Sequence, residues 1–145
     1  MSLLEVAQLR AGYEGIPVLF GINLRVEPRE VVALLGPNGA GKTTTLRALS
    51  GMVRILGGAV RFDGVHIDTR SAESIARSGL LHVPEGRGIF PSLEVGETLR
   101  LAAAMAGVPR TSQADRLDEV FEVFPRLAER TSQTAGTLSG GEQQM

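Results

Sequence analysis

The run Gly36-Pro37-Asn38-Gly39-Ala40-Gly41-Lys42-Thr43-Thr44 holds the only lysine of the 145-residue chain and matches the phosphate-binding pattern G-x-x-x-x-G-K-[ST] in full. Glycines at such positions let successive backbone N–H groups curl around phosphate oxygens, because no Cβ blocks a positive φ or a close approach. Lys42 would reach the β- and γ-phosphates of a nucleotide as a point charge, and the Thr43 hydroxyl would offer an oxygen to Mg²⁺. The bland alternative is a glycine-rich turn with a solvated lysine, so the flanking elements have to decide.

Those elements follow in the required order. Val31-Val32-Ala33-Leu34-Leu35 is an unbroken apolar run and reads as a parallel strand buried on both faces. Thr43 to Leu49 reads as a helix with Gly51 just past its C-terminus. Upstream, Ile22 to Glu27 alternates apolar with polar, the pattern of a strand with one buried face, and Pro28 ends it. Val60-Arg61-Phe62, Asp63-Gly64 and Val65-His66-Ile67 read as a hairpin, since Asp-Gly supplies the positive φ values of a type I′ turn. Ser71 to Ser78 reads as a short helix and Gly79 to Val83 as a second apolar strand stopping at Pro84. Beyond it the chain turns helical: Glu97 to Ala106 closes at Gly107-Val108-Pro109, and a further helix opens near Ser112. That helix carries Leu117, Val120, Phe121 and Phe124 as one apolar stripe and is interrupted by Pro125.

Composition narrows the function classes. Fifteen basic and sixteen acidic residues give a net charge of -1 without a basic stripe, which disfavours a nucleic-acid partner. No cysteine is present, so disulfides and thiolate metal sites drop out. No secretory signal is visible, and the densest apolar candidate, Leu99 to Val108, is too short to span a membrane and contains Arg100, so a soluble, cytosolic protein is expected. The length suits one globular unit. His66 and His82 sit in strand readings without metal-ligand spacing around them, which favours structural roles.

A second motif lies at the far end. Leu138-Ser139-Gly140-Gly141-Glu142-Gln143 resembles the LSGGQ-type signature of ATP-binding cassette (ABC) proteins. Ser139, Gly140 and Gly141 would lead into a helix N-terminus, where unpaired N–H groups and the macrodipole favour an anion. In the family that anion is the γ-phosphate of an ATP held by the opposite subunit, so the resemblance implies a head-to-tail dimer of cassettes. It also implies an α/β fold of the P-loop NTPase class, an ABC-type cassette with an antiparallel β subdomain and a helical subdomain. The division expected is about 1–90 for core and β subdomain, about 91–138 for the helical subdomain and 138–145 for the signature. Tyr13, the only tyrosine, stands where cassettes place an aromatic that stacks on adenine. Glu85, in Val83-Pro84-Glu85-Gly86-Arg87, occupies the Q-loop position, where most cassettes have a glutamine that reaches Mg²⁺ and the attacking water. A carboxylate there is a harder Mg²⁺ ligand but lacks amide donors.

Val83 to Arg87, Phe90, Phe124-Pro125-Arg126-Leu127, Ala135 to Leu138 and Gly140 to Met145 together resemble the second ATP-binding subunit of branched-chain amino acid importers. The resemblance implies ATP and Mg²⁺ as cofactors and two permease subunits as partners, with Glu97 to Leu127 docking on them. A substrate-binding protein is an indirect partner, and the location is peripheral at the inner face of the cell membrane. Urea or amide import, a soluble ABC protein of translation or repair, and a non-hydrolysing nucleotide-binding module stay open as alternatives. The Walker B strand, catalytic Glu and switch His of the family do not follow the signature within these 145 residues. Weak ATP binding, no hydrolysis and incompletely covered apolar faces at Val31 to Leu35 and Leu80 to Val83 are therefore expected of the chain as it stands.

Overall fold

A computed structural model describes residues 2–84 and 88–144, which form two compact units, Met1–His82 and Val83–Met145. In the first unit, β1 (Leu4–Tyr13), β2 (Ile16–Val26), β3 (Arg54–Phe62) and β4 (Val65–His66) form one antiparallel sheet in the order β2-β1-β3-β4. Glu14 and Gly15, both at positive φ, make the two-residue turn between β1 and β2. The ladder extends well beyond the strand expected at Ile22 to Glu27, and β1 joins it as a central strand. The hairpin at Asp63-Gly64 forms as expected, with φ of 48° and 75°.

The central strand changes phase in its middle. Leu4 and Val6 are buried, then Leu9 and Ala11, so the alternation skips one residue. That extra residue is a bulge at Gln8, whose φ is 50° and whose N–H donates to Asn23 Oδ1 at 2.9 Å. Gly58 on β3 accommodates the bulge: a Cβ there would lie 2.3 Å from the Gln8 carbonyl oxygen.

On this sheet packs α1 (Lys42–Leu49), which buries Thr44, Thr45, Ala48 and Leu49. With Val53, Val60, Ile67 and Ile75 of α2 (Ala72–Arg77) they complete a core around Leu9 and Leu19. Burying an aliphatic side chain of this kind contributes about 1.5–3 kcal/mol. Ser71 caps α2 by accepting from the Ser74 N–H at 3.3 Å, and Ser78 follows its last turn.

Two strand expectations are corrected. Val31 to Leu35 and Leu80 to Val83 are irregular and join no ladder among the described residues, Gly79 is a turn residue at φ 101°, and Val31 is 96% and Leu35 89% exposed. Their apolar composition suits a strand flanked on both sides, yet a strand exists only through its neighbours' N–H and C=O groups. No described residue supplies those groups, so the uncovered faces expected for these segments are present, with Leu81 and Val83 about three-quarters exposed. His82 accordingly lies in no strand.

In the second unit α3 (Val95–Met105) begins two residues earlier than the composition suggested, because Glu97 reaches back and accepts from the Glu94 N–H at 3.0 Å. After a short turn of 3₁₀ helix at Arg110–Ser112 come α4 (Gln113–Val123) and α5 (Pro125–Ala128), the latter opening on its proline. The α4 stripe is half-buried, and Phe121 and Phe124 pack against Val95, Leu127, Ala135 and Leu138. Backbone bonds tie 131–136 to 91–96: Val95 N–H to Gln133 O, Gly96 N–H to Thr131 O, Ala135 N–H to Leu93 O and Gly136 N–H to Pro91 O. Among the described residues no helix is long and apolar enough to cross a membrane.

Candidate functional site

The glycine loop lies in the first unit and leads directly into α1. Gly36, Gly39 and Gly41 all take positive φ, and Ala40 N–H bonds back to Pro37 O at 3.2 Å, which makes the loop a compact curl. Gly41 is the residue before the helix, at φ 89°. It is fixed by conformation and by space together, because a Cβ there would meet Leu19 Cδ2 at 2.7 Å. No side chain caps α1, and its first turn contains no acidic residue. The positive end of the helix is thus left without a counter-charge from within, which favours an anion.

Lys42 stands at that helix end. Its ammonium donates to Gly36 O at 2.7 Å and Pro37 O at 2.8 Å, so the chain's only lysine bridges back across the loop that precedes it. Thr45 secures the other side, giving both its N–H and its hydroxyl to Gly41 O at 2.8 and 2.9 Å. Thr44 is buried and Thr43 is exposed, so of the two hydroxyls only that of Thr43 is open to a ligand. Pro37 and Asn38 are exposed with the rest of the curl.

Tyr13 ends β1 beside this helix with its ring part-exposed. Its hydroxyl meets the Thr44 side chain and then that of Arg47, and both contacts hold its pKa below the usual tyrosine value. The fold thereby brings Tyr13 to the first turns of α1, a juxtaposition that sequence distance hides. Arg47 and Leu19 escaped the sequence reading, since neither belongs to a motif.

The signature segment lies in the second unit. Leu138 is buried as an anchor, and Gly140 and Gly141 have nothing within 4 Å of where a Cβ would be. Ser139 gives both donors to one oxygen: its N–H lies 3.0 Å and its hydroxyl 2.6 Å from Glu142 Oε2. Glu142 N–H returns a long bond of 3.4 Å to Ser139 Oγ. Its other oxygen, Oε1, is 3.6 Å from Arg130. The Ser139 hydroxyl, followed by the Ser139 N–H and the charges of Arg130 and Arg126, holds the Glu142 carboxyl below the ordinary glutamate range. The Ser-x-x-Glu spacing of a capping box was the signal for this arrangement. Gln143 Nε2 donates to Leu138 O at 2.9 Å and makes longer bonds to Ala135 O and Gly136 O, which clamps the turn before the signature.

Glu85 lies outside the described residues. Among the described residues no group of three or more His, Cys, Asp or Glu is placed to hold a metal ion. His66, in β4, has one acidic neighbour, which makes a hydrogen-bonded pair and no metal-holding group. Its Nδ1 lies 2.9 Å from Asp68 Oδ1, and Arg61 Nε donates to its Nε2 at 3.0 Å. Because an arginine nitrogen only donates, Nε2 accepts and the proton sits on Nδ1, facing Asp68. The histidine contact is the main cause of a lowered Asp68 pKa.

Comparison with known proteins gives these sites a context. The family model described as ABC transporter matches residues 19–145. The chain is 39% identical to the high-affinity branched-chain amino acid transport ATP-binding protein BraG of Pseudomonas aeruginosa, over 99% of this chain and 60% of that protein. It is 33% identical to the probable branched-chain amino acid transport ATP-binding protein LivF of Archaeoglobus fulgidus, again over 99% of this chain and 60% of the relative. A solved ATP-binding subunit of an ABC transporter superposes with a TM-score of 0.81 at 33% identity, covering 99% of this chain and 58% of that one. The chain therefore spans about 60% of the length of the curated relatives it matches, and on the strength of the family match it belongs to the ABC transporter family as part of an ATP-binding cassette.

Proposed function

We propose that this chain is the nucleotide-binding part of a subunit that binds and hydrolyses ATP to power import of branched-chain amino acids. The observation that carries the proposal is the phosphate loop. It combines an uncapped helix end, three glycines at positive φ and an ammonium held across the curl. These features suit a triphosphate, with the Gly36 to Thr44 backbone holding the phosphate oxygens and Thr43 offering its hydroxyl to Mg²⁺. Lys42 would exchange its two carbonyl partners for phosphate oxygens, and the Tyr13 ring would receive the adenine face. Bound Mg²⁺ would supply charge neutralisation between the phosphates, and Glu85 stands in sequence where a ligand to it is expected.

The cargo reading rests on the names of the relatives, which are branched-chain amino acid transport proteins. Ser139 to Gln143 would face the nucleotide of a second cassette, homologous or identical, in a head-to-tail pair. Glu97 to Leu127 would dock on two permease subunits at the inner face of the membrane, with a substrate-binding protein acting through them.

Titration with a fluorescent ATP analogue tests the first step. Saturable binding that Lys42→Ala weakens strongly supports the reading, and equal binding by both proteins removes it. Co-purification with permease subunits and leucine uptake by the assembled complex test the cargo. Uptake of urea or an amide in place of leucine would reassign it.

A further inference from the structure

We infer that Glu142 is an internal occupant of the Ser139 donors, a carboxylate that must let go before Ser139 can serve an incoming anion. The inference rests on the reading above that Ser139 faces a partner's nucleotide. Both donors of Ser139 converge on a single oxygen, Glu142 Oε2, at 3.0 and 2.6 Å. The Glu142 side chain is 11% exposed, and the two bonds lie at the surface of the turn, where an incoming anion can reach the same donors. Hydrogen bonds from a hydroxyl and an N–H to an ionised carboxylate are short and about twice as strong as neutral ones.

The surroundings give the carboxylate a second place to go. Arg130 stands 3.6 Å from Oε1, a distance at which its charge is felt but the bond is incomplete. Its other terminal nitrogen donates to Gln133 at 3.3 Å, which aims the guanidinium toward the signature turn. Gly140 and Gly141, with open space where side chains would be, leave the turn free to swing Glu142 toward Arg130. A γ-phosphate arriving at Ser139 would then replace one anion by another, and the displaced charge would be received by Arg130. A neutral glutamine at 142 would hold Ser139 less firmly. The acidic residue thus makes closure onto nucleotide competitive with the protein's own side chain.

Amide hydrogen exchange on the whole chain at pH 7, without nucleotide, reads the latch directly. The Ser139 N–H is expected to exchange about tenfold faster or more in Glu142→Ala than in the parent, with Glu142→Gln between them. Equal rates in all three overturn the inference. ATP-driven self-association reads the competition: Glu142→Gln is expected to associate at lower ATP concentration than the parent. Binding of nucleotide to the loop with no gain in association by Glu142→Gln overturns the competition while leaving the phosphate-loop reading intact. Failure of nucleotide to bind at all overturns that reading instead, and the exchange rates at Ser139 still decide the latch.

Discussion

The ammonium of Lys42 donates to the carbonyl oxygen of Gly36, six residues earlier, at 2.7 Å, and so ties the helix start to the mouth of the loop that it follows. The same nitrogen reaches Pro37 O at 2.8 Å, and in the proposed nucleotide complex phosphate oxygens would replace both acceptors. Replacing Lys42 by Ala is expected to lower ATP affinity about 10- to 100-fold, the usual range for a bond to a charged group. Thermal stability should change little, because the ammonium lies at the exposed surface and both carbonyls can turn to water. Calorimetric titration beside a melting curve checks both halves.

Gly41 and Gly39 share a positive φ but differ in what surrounds them. A methyl group at 41 collides with Leu19 as well as straining the backbone, whereas one at 39 meets open space. Gly41→Ala should cost about 2–4 kcal/mol and Gly39→Ala about 1 kcal/mol. Denaturant unfolding of the two variants, compared with the parent, measures the gap.

On the proposed reading, the Tyr13 ring would stack on adenine while its hydroxyl meets Thr44 and Arg47. Tyr13→Phe keeps the stacking face and loses the contacts to Thr44 and Arg47, so ATP affinity should fall less than threefold. Tyr13→Ala loses the ring as well, and about 1–3 kcal/mol of base stacking with it. Competition between ATP and inorganic triphosphate separates the two, since only binding that includes the base responds to the ring.

Acid should loosen two places of the same sign. The carboxyls of Asp68, chiefly through His66, and of Glu142, chiefly through Ser139, are held below their ordinary values. A depressed carboxylate contributes stability that is full above its unfolded-state pKa and is lost as pH falls through the lower folded value. Melting temperature should therefore drop on acidification through the carboxylate range, and less steeply in a variant carrying Asp68→Asn. An equal slope in the two proteins would remove Asp68 from the account.

The residues that carry local chemistry were legible in the sequence, and those that depend on distant partners were not. Asp63-Gly64 determines its own turn, Gly41 and Lys42 their own helix start, and Ser71 its own cap, because each works within a few residues. Val31 to Leu35 shows the limit: its composition suits a strand, yet the ladder has to come from other segments, and none is described here. The first strand was missed for another reason. Its bulge at Gln8 breaks the alternation that would have revealed it, so Leu4, Val6, Leu9 and Ala11 fit no single period. The pairing of Ser139 with Glu142 was readable from spacing alone, whereas Arg130 reaches the same carboxylate only through the fold.

Since no other ε-amine exists in these 145 residues, amine acylation has one side-chain amine to modify. That target lies at the surface of the free protein, held to two carbonyls, and a bound triphosphate would cover it. Counting a single mass increment after timed exposure to an amine-reactive ester, with the α-amine as internal reference, turns the loop into its own occupancy gauge without any engineered label.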